Sequence, residues 1–330
     1  METNRRLPQV LRGFSAALLA ACLNLCGATA MAQEYPGKPV RILVGASPGG
    51  GTDLIARLIA DKLSQMWRQP VIVENRAGAS GSIAMDAVAK SAPDAHTLGM
   101  LFLAHVVFEE LFRNPPYVIA KDLTPIVSIA RQSNILVVNP VFPAANVREL
   151  VAYLKANPGK VSYASAGAGS PAHLAAELFK LQAGVDMVHV PYKGAAPAIQ
   201  DVMGGSVPLM FAAAPSALPL VRAGKVRALA VTSDTRSAQS PDIASLSESG
   251  FQYDVRDWQG LVGPAGLPAA LVKRVNTDMR TVLDLADVKA RIADLGGEIA
   301  GGTPERFEAQ LRAETEKWKR VVRDAKLTAN

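Results

Sequence analysis

The sequence predicts an α/β protein made of two lobes, and three observations predict it. Short apolar, strand-like runs alternate with stretches whose apolar residues recur at helical spacing, which is typical of parallel sheets flanked by helices. Glycine-rich turns follow several of these strands and precede helices. About 300 residues remain after the N-terminal segment described below, which is enough for two lobes of ordinary domain size.

The first glycine-rich turn, residues 44–53, follows a strand predicted at 40–44 and precedes a helix predicted at 54–66. Its glycines allow the backbone to approach a ligand closely, and Thr52 or Asp53 can cap the first helical turn. A helix start exposes unpaired N–H groups and a partial positive charge, which together favour an anion. Taken alone, this turn is more consistent with an ordinary strand-to-helix connection.

The same pattern recurs farther along the chain. A strand predicted at 161–165 precedes the turn 166–171 and a helix at 174–181, with Ser170 at the N-cap position and Pro171 at N1. A third, weaker copy at 71–82 precedes a helix at 83–89. Anion-receptive turns on two separate α/β units therefore predict a clamp that grips a carboxylate from both sides.

The remaining predicted elements continue the α/β alternation. Strands are predicted at 97–102, 134–140, 187–190, 207–211, 226–231 and 258–262, and helices at 147–156, 271–285, 288–295 and 304 to 325. Thr303 is expected to cap the last helix. Its apolar stripe is expected to pack on the core and consists of Phe307, Leu311, Trp318 and Val321.

Residues 1–32 are expected to be an export signal rather than folded structure. Arg5, Arg6 and Arg12 precede an apolar run at 14–25 that is too short to span a membrane, and small-residue cleavage candidates follow it. Residues 19–22 also resemble a lipobox, which would leave an acylated Cys22 as a membrane tether. One acyl chain is a marginal anchor, so we expect the simple export signal.

Composition excludes several kinds of site. Both cysteines, Cys22 and Cys26, lie in the N-terminal segment, so the exported chain would have no disulfide, thiol nucleophile or cysteine metal site. The four histidines have no metal-ligand spacing, and we predict no metal and no cofactor. The formal net charge of +6 is spread along a chain that is 5% aromatic, which argues against nucleic-acid binding but could steer an acidic solute.

Short segments in order along the chain carry a resemblance to a known family. They are Tyr35-Pro36-Gly37-Lys38-Pro39-Val40-Arg41, Pro48-Gly49-Gly50 with Asp53, Val73-Glu74-Asn75-Arg76 with Gly78, Lys121-Asp122-Leu123-Thr124-Pro125-Ile126, Tyr163-Ala164-Ser165 with His173 and Glu177, His189-Val190-Pro191-Tyr192-Lys193-Gly194, and Trp258-Gln259-Gly260. Each is weakly specific alone, but together the chain resembles the Bug-type solute-binding proteins of tripartite tricarboxylate transporters.

The resemblance implies a type II-like, Venus-flytrap periplasmic binding fold in which each lobe is a mainly parallel sheet flanked by helices. The chain would cross between lobes near Ser133 and near Asp257, so that residues 33–132 and 257–330 form one lobe and 133–256 the other. It also implies a periplasmic monomer that closes on a small carboxylate and then docks on a membrane permease.

In that family, backbone N–H groups and ordered waters hold the ligand's carboxylate in the cleft, in loops that match 47–53 and 165–170 here. The turn analysis points to the same loops without the resemblance. The ligand-binding residues predicted in this way are Ala46, Ser47, Pro48, Gly49, Gly50, Thr52, Asp53, Phe102, His105, Ser165, Ala166, Gly167, Ser170, His173 and Ala212.

Departures from the family pattern bear on the ligand. The family usually has an Asp at the position of Ala212, where it can pair with a ligand's ammonium group, so an amino acid would leave a buried charge unpaired here. Small polar residues of the family are replaced by Leu101, Phe102 and Leu103, and Ala46 replaces a bulky residue. These changes predict an aromatic or aliphatic mono- or dicarboxylate, unless Leu101 and Phe102 only pack the core.

Three candidates have a structural alternative. His173 is expected to be a hydrogen-bond partner in the cap region rather than a charged ligand contact. His105 either lines the cleft or satisfies a loop carbonyl, and we favour the cleft. Asp53 is expected to be a helix cap, because a carboxylate facing the cleft would repel an anion.

Other functions fit the sequence less well. Residues 45–49 match the G-x-S-x-G elbow of serine hydrolases with Ser47 as nucleophile, but Pro48 has no N–H for the oxyanion hole. Residues 167–172 match a dinucleotide fingerprint, but Asp186 precedes a strand instead of closing one. A binding protein that signals to a sensor kinase, instead of supplying a permease, remains open.

Overall fold

The structure is a computed structural model that describes residues 35–112 and 114–327, without the side chain of Ser80. The chain divides into two compact units, Met1–Gly37 and Lys38–Asn330, and the account below concerns the second unit. The predicted export signal and Cys22 lie outside the described residues. Within the part of the chain that is described, no helix has both the length and the apolar character that crossing a membrane requires.

The first part of the unit alternates strands with helices. In order, its elements are β1 (Val40–Val44), α1 (Gly51–Trp67), β2 (Val71–Asn75), a short 3₁₀ turn (Ala79–Gly81), α2 (Ser82–Ala89), β3 (Thr97–Phe102), α3 (Leu103–Leu111), the single turn α4 (Ile119–Asp122) and the long strand β4 (Leu123–Val138).

The alternation continues through the rest of the chain. The elements are α5 (Val147–Ala156), β5 (Ser162–Ser165), α6 (Pro171–Ala183), β6 (Val188–Pro191), α7 (Ala195–Gly204), β7 (Leu209–Ala213), α8 (Ala214–Arg222), β8 (Arg227–Val231), the 3₁₀ turn Ser247–Ser249, β9 (Arg256–Pro264), α9 (Ala269–Asp284), α10 (Ala286–Asp294), β10 (Glu298–Gly301) and α11 (Pro304–Asp324).

All ten strands belong to one connected sheet in the order β2-β1-β3-β9-β4-β7-β5-β6, with β8 and β10 also paired to β4. β4 pairs with β9 as far as Ser133 and with β7 from Asn134 onward. We call the strands on the β9 side of this point the first sheet half and those on the β7 side the second sheet half.

The sheet is mixed rather than mainly parallel. Within each half, the strands joined by helical crossovers are parallel: β1 with β2 and β3, and β5 with β6 and β7. β4 and β9, which are long and run through the centre, are antiparallel to their neighbours. The predicted α/β class is confirmed, and the antiparallel centre is the feature that alternation in sequence did not indicate.

Among the described residues, two clusters of buried apolar side chains include residues of the sheet. The larger cluster includes residues of both halves, such as Leu43, Val106, Phe179 and Trp318, whereas the smaller cluster lies in the second half. The predicted apolar stripe of α11 is buried in the larger cluster, and Thr303 Oγ1 accepts the N–H of Arg306 at 3.3 Å, which is the predicted N-cap bond.

Sequence patterns missed five elements, each for a local reason; one of them, α4, is a single turn and too short to show a helical period. α3 begins directly after β3 with Phe102 at its N-cap, so neither a glycine nor a polar cap marks its start. α8 contains Pro219, which is a helix-breaking signal inside the helix, and α7 starts at alanines after Gly194. β10 has only four residues. The strand predicted at 134–140 is the end of β4, whose earlier part contains Pro125 and polar residues.

Candidate functional site

The carboxyl ends of the parallel strands in the two halves face each other, because β1–β3 run in the direction of β4 and β5–β7 run against it. β1, β2 and β3 are parallel neighbours, so the loops after Val44, Asn75 and Phe102 emerge side by side. Each of these loops leads into a helix: α1, α2 or α3. In the second half, β5 leads through residues 166–170 into α6. Ligands of open α/β sheets bind at this kind of edge, outside the carboxyl ends of the strands.

A cleft of about 310 Å³ lies where these loops meet. Its walls come from the loops after β1, β2 and β3 and, on the other side, from the loop after β5. The lining residues are Gly45, Ala46, Ser47, Ala77, Gly78, Gly81, Phe102, Ala104, Ala168, Gly169 and Ser170. The first and the second predicted glycine turns therefore face one shared space, and the third, weaker copy joins them.

Two glycines allow the loops of the first half to pack in direct backbone contact. A Cβ atom added at Gly45 would lie 2.6 Å from the Cα atom of Gly81. Gly81 has φ +88°, and a Cβ atom there would lie 2.5 Å from Nε2 of His105 and 2.9 Å from the carbonyl oxygen of Gly45. Only glycine satisfies both the backbone conformation and the space at position 81.

Asp53 organises the start of α1 from below the cleft. Its carboxylate accepts hydrogen bonds from the N–H of Gly49 at 2.8 Å, from Arg57 Nε at 3.0 Å and from Asn75 Nδ2 at 2.9 Å. The same Asn75 amide donates to the carbonyl oxygen of Ala46 at 3.0 Å. Burial alone would raise the pKa of Asp53, but these hydrogen bonds outweigh it and hold the pKa below its ordinary value.

Asp53 therefore acts at the helix start, as predicted, but it accepts the N–H of Gly49, the residue before the N-cap, instead of an N–H of the first helical turn. Gly50 is the N-cap and receives no side-chain hydrogen bond, and the carboxylate of Asp53 reaches back to Gly49 instead. Because the side chain is 1% exposed, its negative charge does not face the cleft. Thr52, the alternative cap, lies in the first turn of α1 without a capping bond.

The loop after β5 is held by a serine and two histidines. Ser165 is fully buried, and its Oγ lies 2.7 Å from Nε2 of His189, donates to the carbonyl oxygen of Gly167 and accepts the N–H of Gly167. At the end of the loop, Nδ1 of His173 accepts the N–H of Gly169 at 3.0 Å, and Oγ of Ser170 accepts the N–H of His173 at 3.4 Å. Ser170 is therefore the N-cap of α6, as predicted.

Three stacked rings support this loop from behind. The His189 ring lies between Tyr163, at a centroid distance of 5.0 Å, and His173, at 4.0 Å, with interplanar angles of 16° and 10°. The Tyr163 hydroxyl donates to Glu177 at 2.6 Å. Burial lowers the pKa of His173 to about 4, with a further lowering from His189, so His173 is neutral at pH 7 and the two imidazoles can stack without repulsion.

The start of α3 is the part of the site that the sequence patterns did not identify. Phe102 and Ala104 line the cleft, and no side chain caps the first N–H groups of α3. His105 is fully buried behind Phe102, with ring centroids 3.9 Å apart, and its Nδ1 accepts the N–H of Phe102 at 3.0 Å. Burial lowers the pKa of His105 to about 4, so this side chain supports the wall as a neutral ring.

Among the described residues, those that line the cleft include no ionisable side chain. Its polar groups are backbone N–H groups and the hydroxyls of Ser47 and Ser170. Four helices, α1, α2, α3 and α6, start at loops that line it, and each start carries unpaired N–H groups and the positive end of the helix dipole. Such a surface stabilises an anion without a fixed positive side chain.

The structure separates the predicted residues into three groups. Ala46, Ser47, Phe102 and Ser170 line the cleft. A second group belongs to the same loops and helix starts without lining the cleft, and it consists of Pro48, Gly49, Gly50, Thr52, Asp53, His105, Ser165, Ala166, Gly167 and His173. Within this group, hydrogen bonds of Asp53, His105, Ser165 and His173 hold the loops in place. Ala212 lies elsewhere: it is 1% exposed in the smaller apolar cluster and pairs with Ile135 across β7 and β4.

Several lining residues were outside the predicted set. They are Gly45, Ala77, Gly78, Gly81, Ala104, Ala168 and Gly169. The glycine-rich turn after β2 was the available signal for Gly78 and Gly81, and Ala168 and Gly169 lie inside the predicted loop 165–170. Ala104 had no signal, because small apolar residues at a helix start are common in every α/β protein.

The serine contacts do not form a hydrolytic centre. Among the described residues, no hydrogen bond joins Ser47 to a histidine. Ser165 does contact His189, but its hydroxyl is fully buried and also bonded to Gly167, so it cannot reach a substrate. Asp186 is exposed and precedes β6, which does not fit a dinucleotide site.

Comparison with known proteins agrees with this geometry. Residues 55–327 match the family described as the tripartite tricarboxylate transporter family receptor. The chain is 36% identical to the UPF0065 protein in the tcbD-tcbE intergenic region of Pseudomonas sp. strain P51 over 300 residues, covering 90% of this chain and 89% of the relative. It is 34% identical to BugT of Bordetella pertussis over 296 residues, covering 89% and 91%.

Solved structures of similar proteins share the fold. Rpa4515 of R. palustris, solved with adipate, is 33% identical with a TM-score of 0.78, over 89% of this chain and 99% of that chain. MatC of Rhodopseudomonas palustris, solved with bound malate, is 31% identical with a TM-score of 0.75, over 87% and 100%. The chain therefore belongs to the tripartite tricarboxylate transporter receptor family, whose members are solute-binding proteins and not enzymes.

Proposed function

We propose that the cleft captures a small carboxylate from the periplasm and that the protein delivers it to a membrane permease of the tripartite tricarboxylate type. The observation that carries the proposal is the convergence of four helix starts, from both halves of the sheet, on one cleft whose lining has no acidic side chain. A carboxylate placed there gains hydrogen bonds from N–H groups and meets no opposing negative charge.

The similar structures support this ligand class. Rpa4515 was solved with adipate and MatC with malate, and both ligands are dicarboxylates. A cleft of about 310 Å³ is at the small end of the usual range of ligand sites, which suits a molecule of this size. Opposite walls that both present helix starts can hold the two ends of a dicarboxylate or one carboxylate shared between them.

Within this class, we expect an aliphatic or aromatic acid rather than an amino acid. The lining offers no carboxylate to pair with an ammonium group, and the ring of Phe102 supplies an apolar surface. The argument from Leu101 and Leu103 does not contribute, because both side chains are fully buried in the larger apolar cluster. The argument from Ala212 does not contribute either, because this residue is buried in the smaller apolar cluster.

Binding is proposed to close two lobes around the ligand. One lobe would comprise residues 33–132 and 257–330, and the other 133–256. The change of pairing partner along β4 at Ser133 and Asn134 supports this division, as does the nearby start of β9 at Arg256. Contacts that bridge both walls exist only in the closed state and shift the population toward it. The protein would act as an exported monomer.

A thermal-shift screen of carboxylates on the purified protein tests the ligand class. We expect stabilisation by adipate-like, malate-like or aromatic acids and none by aspartate or glutamate. A specific ligand at a hundredfold excess over its Kd raises the free energy of unfolding by about 2.7 kcal/mol. Stabilisation by aspartate with none by any simple acid would contradict the proposed ligand class.

The location of the ligand is tested by filling the cleft. Ala168 is exposed on the wall formed by the loop after β5, so the Ala168→Trp variant should fold normally and lose the ligand-induced shift. Ala145→Trp is the matched control, because Ala145 is an exposed loop alanine outside the cleft lining. An unchanged ligand response in Ala168→Trp would place the ligand elsewhere.

A further inference from the structure

A second cavity lies away from the cleft, where β4, β9, β10 and α11 meet. Its volume is about 340 Å³, and it shares no lining residue with the cleft. The lining residues are Ser128, Arg131, Asp254, Arg256, Trp258, Ala300, Gly301, Arg306, Gln310 and Glu314. Arg306, Gln310 and Glu314 are spaced four residues apart and present one face of α11 to the cavity.

The two carboxylates in this cavity each have a cationic partner. Asp254 accepts a hydrogen bond from Nε of Arg256 at 2.7 Å, and Arg256 shares its charge with Asp234. Glu314 pairs with Lys317 and accepts the indole N–H of Trp318 at 2.8 Å. The lining includes more arginines than carboxylates, namely Arg131, Arg256 and Arg306 against Asp254 and Glu314, which favours an anion.

Two guanidinium groups in this cavity lack a close ion pair with any described residue and are available to a ligand. Nε of Arg131 lies 3.8 Å from the nearest carboxylate oxygen of Glu298, at the limit of an ion pair, and both side chains are substantially exposed. Among the described residues, the guanidinium of Arg306 has no ion pair. Arg131 and Arg306 come from β4 and α11 and face the same space, together with the amide of Gln310.

A buried hydroxyl in the same cavity has no partner. Ser128 is 3% exposed and lines the cavity, and its Oγ has no hydrogen-bond partner in the described part of the chain. Buried polar groups in native proteins are almost always hydrogen-bonded, so the Ser128 hydroxyl is available to an ion or a water that reaches this wall. The arrangement is complete if an oxygen-bearing anion sits between the serine and the two arginines.

We propose that this cavity is a second binding site, for a small oxyanion such as a carboxylate or inorganic phosphate, held by Arg131, Arg306, Gln310 and Ser128. A carboxylate and a phosphate each present two oxygens that a guanidinium can contact together, so an experiment is needed to distinguish the two ligands. The proposal does not depend on which solute fills the cleft.

Binding of an anion at this site would be coupled to the arrangement of the strands at the centre of the sheet. Ser128 and Arg131 belong to β4, and Asp254 and Arg256 flank the start of β9, so the walls lie beside the two strands that join the sheet halves. An anion bound here would stabilise one relative placement of β4, β9 and α11. If the halves move as lobes, occupancy would bias that movement.

Calorimetric titration of the Ala168→Trp protein with inorganic phosphate, and separately with succinate, tests the proposal, because the filled cleft leaves this cavity as the remaining site. We expect one equivalent of anion to bind in at least one of the two titrations, and the titration that shows binding identifies whether the ligand is a phosphate or a carboxylate. Adding Arg306→Gln should weaken that binding roughly tenfold or more, because a charged hydrogen-bond donor is lost.

Arg312→Gln is the matched control for charge. Arg312 lies on the same helix, is 71% exposed and pairs with Glu308, so its loss should change the affinity less than twofold. Arg306 is an exposed residue, and its replacement should leave the unfolding midpoint unchanged. Absence of binding in both arms, or equal weakening by Arg306→Gln and Arg312→Gln, would overturn the proposal. Failure of the carboxylate screen on the cleft would not affect it.

Discussion

At the scale of single residues, the cleft depends on residues that have a small side chain or none. The walls meet through the backbones of Gly45 and Gly81, and the largest lining side chain is Phe102. Polar side chains such as Asp53, His105, Ser165 and His173 lie behind the walls and fix the loops by hydrogen bonds. A ligand in this cleft would meet oriented backbone groups, which cost little conformational entropy to place because the loops are already held.

Gly81→Ala tests the close contact of the walls. The new methyl group would collide with Nε2 of His105 and the carbonyl oxygen of Gly45, and φ +88° is strained for alanine. We expect a loss of about 2–4 kcal/mol in the free energy of unfolding, measured by urea denaturation, and impaired ligand binding.

Gly250→Ala separates the two contributions to that loss. Gly250 has φ +93° but nothing within 4 Å of an added Cβ atom, so only the backbone strain of about 1 kcal/mol should appear. If the two variants lost equal stability, contact at Gly81 would have no measurable cost and the steric argument would be wrong.

At the scale of elements, helix starts supply the chemistry and two central strands connect the sheet halves. α1, α2, α3 and α6 start at the cleft because the parallel strands of each half deliver their following helices to the edge that faces the other half. β4 and β9 run antiparallel through the centre, and Gln132 of β4 faces Asp257 of β9 in their register. The Gln132 amide donates to the Asp257 carboxylate at 3.3 Å.

Asp257→Asn tests the electrostatics of this strand pair. Burial raises the pKa of Asp257 to about 6, only partly offset by the hydrogen bond from Gln132. Since the folded pKa is above the unfolded value, ionisation of Asp257 reduces stability as pH rises from about 4 through 6. The variant should therefore be more stable than the wild type by about 1–3 kcal/mol at pH 7 and equally stable at pH 4, measured by urea denaturation at both values.

The comparison at the two pH values provides its own control. An equal gain at pH 4 and pH 7 would mean that the asparagine acts through packing or hydrogen bonding and that ionisation of Asp257 costs nothing. A loss of stability at pH 7 would mean that the carboxylate has a favourable partner in the folded protein.

At the scale of the whole molecule, buried neutral histidines occur in both sheet halves. His105 lies behind the first wall of the cleft and His173 behind the second, and burial lowers the pKa of each to about 4. Both are depressed below the ordinary value near 6.5, so the unfolded chain binds more protons between pH 6.5 and 4. Their contribution to stability is present above pH 6.5 and is lost as pH falls toward 4.

His173→Gln tests this acid sensitivity. Glutamine can still accept the N–H of Gly169 but does not titrate, so the variant should lose less stability between pH 6.5 and 4 than the wild type. The difference in slope should approach 1.4 kcal/mol per pH unit, the value for one proton. Thermal unfolding at several pH values measures it, with pH 8 as the reference at which neither protein titrates at this site. Parallel profiles would contradict a depressed pKa for His173.

Sequence patterns predicted the parts of the fold that depend on local chemistry. The strands before the glycine turns, the N-caps Ser170 and Thr303 and the buried stripe of α11 follow from period and capping, which neighbouring residues determine. The same patterns missed α3, because Phe102 gives no polar signal at its N-cap. The family resemblance, not these patterns, placed Ala212 at the ligand, whereas the structure buries it in the smaller apolar cluster.

The sequence by itself determined the α/β class, the family resemblance and the loops predicted to receive an anion, because each of these depends on residues that are close together in the chain. Only the tertiary structure decided that Gly81 and Ala104 face Ala168 and Ser170 across one cleft, and that Arg131 and Arg306 share a second cavity. The physical reason is that strand order and register bring together residues distant in sequence, and those pairings depend on packing across the whole sheet.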